Sequence, residues 1–195
     1  CITGGAGFVG SSLARRYRRH DPELRIVAFD NLKRRGSELN LADFKELNIE
    51  FTHGDVRNPA DLDALEGDFD LLIDASAEPS AHAGSDGTPD YLIDANLKGT
   101  LNCLEWARRR AAAFLFLSSS RVYALPALRE LPLHEEETRF SIDLDHPLPT
   151  GLSAAGLGET FDTSRHRSLY GATKLASELF VQEYCATYGM KALIN

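Results

Sequence analysis

Two side chains that could move a proton together lie near the C-terminal end of the sequence, at Tyr170 and Lys174. Apolar residues recur at helical spacing through 168–188 and Gly189 follows, so the pattern predicts a helix there. Residues four apart share one helix face. A free tyrosine has a pKa of roughly 10 and is a poor base at neutral pH, but an ammonium one turn away favours the phenolate. Because such pairs also arise by chance, catalysis is predicted only if a cofactor site lies upstream.

A glycine-rich turn near the N-terminal end supplies that upstream site. Gly4, Gly7 and Gly10 follow the short run Ile2-Thr3 and open a predicted helix over 9–19. In this context glycines permit a tight turn and let the backbone approach a pyrophosphate, which rests on the helix N-terminus. The pattern predicts a dinucleotide site; the alternative is a glycine-rich turn that binds no ligand.

The end of the next predicted strand indicates which dinucleotide is bound. Asp30 follows Gly10 by about 20 residues, the spacing at which a carboxylate accepts hydrogen bonds from the adenosine ribose and repels a 2′-phosphate. This favours NAD over NADP, although Lys33 and the arginines after it could soften the preference. Asp55 and Val56, after the third strand, would suit the adenine; a plain strand-end turn is the alternative.

Composition and charge exclude several classes of function. The 195 residues are 43% hydrophobic and 26% charged, as in one soluble globular domain. A net charge of −8 argues against a nucleic-acid or anionic-membrane surface, since both need clustered positive charge. Cys1, Cys103 and Cys185 have neither metal-site nor disulfide spacing. With no signal peptide and no apolar run near the ~18 residues of a membrane span, we predict a cytoplasmic protein with no metal, nucleic-acid or membrane partner.

Strand and helix patterns alternate along the chain. Strands are predicted over 25–30, 49–53, 69–75 and 112–117, and helices over 9–19, 37–47, 59–65 and 90–110. This alternation predicts a Rossmann-like α/β domain over 1–195, with a doubly wound parallel sheet. Residues 125–167 show no clear period and are predicted to be a long functional loop. Because 1–3 and 191–195 resemble partial strands, the sequence is interpreted as a fragment truncated at both ends.

Taken in order, these motifs resemble the extended short-chain dehydrogenase/reductase family, the NAD-dependent nucleotide-sugar epimerases and dehydratases. The motifs that carry the resemblance are Thr3-Gly-Gly-Ala-Gly-Phe-Val-Gly10, Asp30-Asn-Leu32, Gly54-Asp-Val56, Asn96-Leu-Lys-Gly-Thr100, Ser118-Ser-Ser-Arg-Val-Tyr123 and Tyr170-x-x-x-Lys174. They span nearly the whole chain. The resemblance implies that a C-terminal substrate subdomain, present in family members, is missing from this chain.

The resemblance also implies a set of site residues. The catalytic triad would be Ser119, Tyr170 and Lys174, with Ser119 four residues before the tyrosine of the Val-Tyr pair. Asp74 stands where many members carry His, and Ala124 replaces a common Gly. The implied contacts to NAD come from the glycine turn, the strand ends, the loop after Asp74 and two helices: Gly4, Gly7, Phe8, Val9, Gly10, Asp30, Asn31, Asp55, Val56, Ala75, Ser76, Ala77, Asn96, Tyr170 and Lys174.

The residues beside the triad serine favour one reaction over another. In the family's dehydratases a Thr-Asp-Glu-Val-Tyr pattern supplies the acid and base for loss of water, whereas this chain has Ser120 and Arg121 there. An epimerase needs no such pair, since it oxidises a sugar hydroxyl transiently and returns the hydride on the other face. Local sequence around 29–36, 55–58 and 121–123 most resembles the CDP-paratose 2-epimerase (CDP-tyvelose epimerase) group, which implies chemistry at C2 of a CDP-sugar.

Several alternatives stay open on the sequence. A UDP-sugar 4-epimerase, a UDP-glucuronate epimerase, a dehydratase or a reductase would use the same triad. A non-catalytic NAD-binding module would usually have lost Tyr170 or Lys174, and both are present. The expected partner is a nucleotide-sugar substrate, and relatives imply a homodimer or homotetramer that pairs through the helices predicted over 90–110 and 168–188.

Overall fold

The computed structural model describes residues 1–80, 82–84 and 87–195. Its centre is a six-stranded sheet in which every neighbouring pair is parallel, in the order Glu50–His53 (β3), Val27–Asp30 (β2), Ile2–Thr3 (β1), Leu71–Asp74 (β4), Ala113–Phe116 (β5) and Ala192–Ile194 (β10). This order is that of the doubly wound dinucleotide-binding fold, so the predicted fold class is confirmed. The strands of the described residues are β1 Ile2–Thr3, β2 Val27–Asp30, β3 Glu50–His53, β4 Leu71–Asp74, β5 Ala113–Phe116, β6 Leu133–Glu135, β7 Phe140–Ile142, β8 Leu152–Ser153, β9 Gly156–Leu157 and β10 Ala192–Ile194.

Helices connect the parallel strands and cover both faces of the sheet. Their bounds are α1 Phe8–His20, α2 Asn40–Glu46, α3 Pro59–Asp63, α4 Asp90–Ile93, α5 Gly99–Arg109, α6 Leu125–Arg129 and α7 Leu169–Tyr188. The helix predicted over 90–110 forms, but a π-helical segment, Asp94–Lys98, separates α4 from α5. A 3-10 turn, Ser37–Leu39, precedes α2 within the helix predicted over 37–47. None of the helices within the described residues is long and apolar enough to cross a bilayer.

The central strands are buried on both faces, as expected for a parallel sheet covered by helices. Along β2, Val27 and Phe29 belong to one apolar cluster, and Ala28 belongs to the other. The first cluster packs Trp106 of α5 against the sheet, and the second packs Phe44 of α2. The two clusters fix the sheet between its helical layers and hold the carboxyl ends of the strands at one edge.

The stretch 125–167 differs from the loop that the sequence predicted. It contains α6 and two antiparallel pairs, β6 with β7 and β8 with β9. Phe161 packs against Ala124 and Ala127 in a small third cluster, which anchors the stretch to the domain. Its elements are only two to five residues long, so no sequence period could reveal them.

The last long helix, α7, is capped by a side chain at its start and by a backbone hydrogen bond at its end. The Ser168 hydroxyl accepts a hydrogen bond from Gly171 N (3.1 Å), as an N-cap does. Gly189 adopts φ +67° at the other end, and its N–H donates to Cys185 O (3.0 Å), which is the left-handed cap that favours glycine. The predicted end of this helix at Gly189 is therefore confirmed.

Candidate active site

The glycine turn forms a cradle that side chains would fill. Gly4 adopts φ +61°, and a Cβ on it would lie 2.6 Å from Ala75 O. A Cβ on Gly10 would overlap Gly4 O, so α1 can begin against β1 only with glycine at that position. Gly7 is the N-cap of α1 and offers no side chain to the first amides of the helix. These amides stay open to an anion, and the turn fits the pyrophosphate of a dinucleotide.

A cleft opens beside this turn, at the carboxyl ends of β1 to β4. It lies where the strand order reverses between β1 and β4, the place where open parallel sheets bind ligands. Nine of the residues predicted to contact NAD line it: Gly4, Gly7, Asp30, Asn31, Asp55, Val56, Ala75, Ser76 and Ala77. The structure adds Lys33, Arg34, Ser37, Glu78, Pro79, Tyr91 and Ala95 to the lining.

Tyr91 is a lining residue that the sequence analysis missed. Lys33 Nζ lies 2.9 Å from the centroid of its ring, and Arg57 Cζ lies 4.7 Å from the centroid. The cations come from the β2 and β3 ends, whereas Tyr91 comes from the first turn of α4. These residues are too far apart in the sequence for a local pattern to connect them. The signal that could have identified Tyr91 as a lining residue is its position as an aromatic residue at the start of the helix predicted over 90–110.

The acidic residues of the cleft are held by hydrogen bonds. Asp30 accepts from the backbone N–H groups of Ala6 (3.1 Å) and Leu32 (2.8 Å), so its carboxylate is fixed between the glycine turn and β2. Asp55 accepts from Asn31 Nδ2 (2.9 Å) and from the guanidinium of Arg57. Burial raises the pKa of Asp55, but hydrogen bonds from Arg57 and Asn31 outweigh it and lower that pKa to about 2.

Six of the predicted cofactor residues lie outside the lining of this cleft: Phe8, Val9, Gly10 and Asn96, and also Tyr170 and Lys174 of α7. Phe8 is 89% exposed and Val9 is also exposed, both on the first turn of α1. Gly10 packs on the glycine turn. Asn96 is fully buried in the π-helical segment, where its amide accepts from Glu78 N (2.7 Å) and donates to Glu78 O (3.1 Å). Asn96 therefore holds the loop that lines the cleft.

Ser119 lies in the turn that follows β5. Its hydroxyl accepts from Arg121 N (3.1 Å) and caps a 3-10 helix, Ser120–Val122. The first turn of α7 packs directly on this segment, because a Cβ on Gly171 would overlap Arg121 O. The guanidinium of Arg167 donates to Val122 O and ties the segment to the residues before α7. The fold thus brings the Ser119 turn to the end of α7 that carries Tyr170.

Lys174 is buried between α7 and the segment that follows β5, with only 2% of its surface exposed. Its Nζ donates to Leu117 O (2.8 Å) and lies 4.5 Å from the centroid of the Phe116 ring. Burial lowers the pKa of Lys174, while the charges of Asp74 and Glu178 oppose that effect. Tyr170 is partly buried one turn earlier on α7, so this helix places a phenol and a buried amine next to the turn that carries Ser119.

Comparison with known proteins agrees with this geometry. A CDP-paratose 2-epimerase from Salmonella typhi is 31% identical over 198 residues, which cover 99% of this chain and 54% of that protein. A dTDP-glucose 4,6-dehydratase from Salmonella typhimurium is 29% identical and covers 100% of this chain and 52% of its own length. The chain therefore spans about half the length of the curated relatives it matches.

Solved structures of similar proteins share the fold of this chain over 99% of its length. A dTDP-glucose 4,6-dehydratase from Streptomyces venezuelae, solved with NAD and TYD bound, superposes with a TM-score of 0.70 at 25% identity, over 99% of this chain and 53% of that one. A UDP-galactose 4-epimerase gives 0.65 at 27% identity, over 99% and 53%. The model of the NAD dependent epimerase/dehydratase family matches residues 1–195. The chain belongs to the NAD dependent epimerase/dehydratase family, which confirms the predicted family and its cofactor, NAD.

Proposed function

We propose that this domain is the cofactor-binding part of a nucleotide-sugar epimerase that keeps its NAD through each turnover. The enzyme oxidises a sugar hydroxyl transiently and reduces the same carbon from the other face. The proposed substrate is CDP-paratose and the proposed carbon is C2, in line with the similarity to a CDP-paratose 2-epimerase. Because the chain spans about half of its relatives, residues beyond it would complete the sugar pocket.

The residues present fit NAD. The glycine turn and the open amides of α1 would take the pyrophosphate. The fixed carboxylate of Asp30 would accept hydrogen bonds from a ribose and disfavour a 2′-phosphate. Asp55 and Val56 would contact the adenine, and Asn96 would hold the loop at Glu78 that lines the cleft. Bound NAD would supply the hydride acceptor and donor.

The triad would move the proton. Tyr170 accepts the proton of the sugar hydroxyl as its carbon is oxidised, and returns it when the carbon is reduced. The positive charge of Lys174, held on Leu117 O, favours the phenolate form of the tyrosine. Ser119 donates a hydrogen bond to the sugar oxygen as that oxygen becomes a carbonyl, while its own oxygen accepts from Arg121 N.

The observation that carries an epimerase over a dehydratase is the identity of the two residues after Ser119. Ser120 and Arg121 begin the short 3-10 helix and are exposed on the turn that Ser119 caps. Loss of water from a keto-sugar needs a general acid and a general base beside the substrate, and the carboxyl pair that the dehydratase pattern supplies for this is replaced here by Ser120 and Arg121. Epimerisation needs only the triad, the cofactor and a sugar that can present its other face.

The protein is further proposed to be a homodimer or homotetramer that pairs through α7. This helix turns Gly171, Lys174, Ser177 and Val181 toward the domain. Its large apolar side chains stand on the other side: Leu169 is 46%, Leu179 is 55% and Phe180 is 42% exposed. A second copy of α7 would cover this stripe, as contiguous exposed apolar surfaces often mark interfaces.

The nucleotide content of the full-length protein tests the proposal. The protein is purified without added nucleotide and denatured, and the released ligand is identified by mass. About one NAD per chain is expected, since an epimerase regenerates its cofactor in place. An empty protein, or one that holds NADP, would contradict the proposal and point to a reductase that exchanges its cofactor or to a binding module.

A further inference from the structure

The structure contains a buried carboxylate that the triad does not include. Asp74 ends β4 and has 0% of its surface exposed. Its Oδ1 accepts from Thr3 Oγ1 (2.8 Å), Ser76 Oγ (2.6 Å) and Ser76 N (3.2 Å), and its Oδ2 accepts from Thr100 Oγ1 (2.7 Å). These donors are neutral groups from the end of β1, the cleft loop and α5. Hydrogen bonds to neutral donors leave the negative charge itself uncompensated, which is costly in the interior of a protein.

A buried positive charge lies across one strand from it. Asp74 is in register with Phe116 of β5, and Lys174 Nζ lies over the Phe116 ring. Leu117 N donates to Asp74 O (3.2 Å), and Leu117 O accepts from Lys174 Nζ (2.8 Å). The acid and the amine therefore flank Phe116, the last residue of β5, and Leu117 after it, on the side of the sheet that α5 and α7 cover.

Two buried hydroxyls lie between the acid and the helix that carries the amine. The hydroxyl of Thr100 is within reach of Asp74 Oδ2 (2.7 Å) and of Asn96 O (2.9 Å). Asn96 O is also within reach of Ser177 Oγ (3.3 Å), which lies one turn after Lys174 on α7 and is 3.0 Å from Thr173 O. Ser177 and Thr100 are fully buried, so the path from Asp74 to α7 is shielded from water.

We propose that Asp74 is the buried counter-charge of Lys174, a positioning residue that keeps the amine protonated next to Tyr170. The role in catalysis rests on the proposed function; the pairing of the charges does not. Without compensation, a buried ammonium loses its proton more readily than one in water.

The charged neighbours of Lys174 agree with this role. Burial lowers the pKa of Lys174, and Asp74, then Glu178, are the charges that raise it. Glu178 lies one turn later on α7 and accepts from Ser118 Oγ. Cys103 of α5 also faces Asp74, but burial raises the pKa of its thiol well above the usual value, so it stays neutral. Of the two carboxylates, Asp74 is the fully buried one.

The test is the titration of Lys174 in the full-length protein, followed by NMR of ¹³C-labelled lysine and assigned by the signal lost in Lys174→Met. In Asp74→Asn, the new amide can donate to the Thr100 hydroxyl while Thr100 donates to Asn96 O, so the packing is kept and the charge is removed. We expect the midpoint of Lys174 to fall by about one pH unit or more. The alkaline limb of the pH–rate profile should move in the same direction.

Thr100→Val is the matched control, because it removes a hydrogen bond from the same carboxylate and keeps the charge. It should lower the urea midpoint of unfolding and leave the midpoint of Lys174 unchanged. An unchanged Lys174 midpoint in Asp74→Asn, or an equal shift in Thr100→Val, would overturn the proposal and leave Asp74 a structural residue.

A double-mutant cycle keeps the test decisive if Asp74→Asn is too unstable to titrate. Asp74→Asn and Lys174→Met each leave one buried charge alone, whereas the double variant removes both. The loss in urea midpoint for the double variant should therefore be smaller than the sum of the two single losses. Strictly additive losses would contradict the pairing. Neither the Lys174 titration nor the urea double-mutant cycle uses a substrate, so the charge pairing and the proposed function can fail separately.

Discussion

Tyr170 is the group that takes and returns the proton in the proposed mechanism. Tyr170→Phe removes the hydroxyl and keeps the ring, so we expect turnover to fall about 100- to 10,000-fold, the usual loss for an acid/base group. The NAD content should stay at the wild-type level, because the glycine turn and Asp30 lie elsewhere. Tyr188→Phe, at the exposed far end of the same helix, is the control and should be fully active. Turnover that survives Tyr170→Phe would contradict the triad.

Asp55 gives the cleft a contribution to stability that depends on pH. Its native pKa of about 2 lies below the unfolded value of roughly 3.9. The ionised carboxylate therefore stabilises the fold above about pH 4, and this contribution is lost as the pH falls from about 4 to about 2. Asp55→Asn should lower the urea midpoint near neutral pH, and the gap to wild type should narrow below about pH 4. Urea titrations across this range would contradict the argument if the gap stayed constant.

The sequence alone identifies those cleft residues whose role depends on their spacing along the chain. Gly4, Gly7 and Asp30 follow from the spacing of the glycines and the next strand end, and all three line the cleft. The contacts of Asn96 with Glu78 and of Tyr91 with Lys33 join separate elements. They depend on how the elements pack, which no spacing along the sequence encodes.

The approach of α1 to β1 is the element contact on which the cradle depends. Gly10→Ala would push a methyl group into Gly4 O, and because that partner is backbone, the helix itself must move. We expect a loss of about 1–3 kcal/mol in the free energy of unfolding, as for other overpacked sites, together with loss of retained NAD. Urea unfolding and nucleotide analysis of the purified variant measure both.

Gly158→Ala is the control for that substitution. Its Cβ would lie 3.7 Å from Gly151 O, an ordinary contact, and it is expected to keep both the stability and the NAD of the wild type. A Gly10→Ala protein that retained NAD and full stability would show that close packing of α1 on β1 is not what forms the site.

Helices of several turns and buried strands of several residues could be predicted from the sequence. The apolar runs behind β2, β4 and β5 and the caps of α7 are local signals, and each of these elements forms. The π-helical segment Asp94–Lys98 could not be predicted, since it is a single turn inside one continuous helical pattern and is defined by its hydrogen bonding. The short elements of 125–167 are fixed by contacts such as Phe161 with Ala127.

The assembly expected for the complete protein depends on the exposed stripe of α7. Leu179→Glu places a charge in the middle of that stripe, 55% exposed in a single copy. We expect a shift from dimer or tetramer to monomer at equal protein concentration, measured by light scattering after size-exclusion chromatography. Leu39→Glu, which makes the same change at a leucine that is 76% exposed in the 3-10 turn before α2, should keep the wild-type assembly. A monomeric wild type, or an unchanged assembly of Leu179→Glu, would contradict pairing through this face.

In the proposed reaction, a hydride leaves one carbon of a nucleotide sugar and returns to the same carbon. The most direct measurement follows CDP-paratose deuterated at C2 through the reaction of the full-length protein, by NMR and mass. We expect a product with the opposite configuration at C2, the deuterium still at C2, and no net formation of NADH. Loss of the deuterium to solvent, release of reduced nucleotide, or no conversion of this substrate would contradict the proposed reaction.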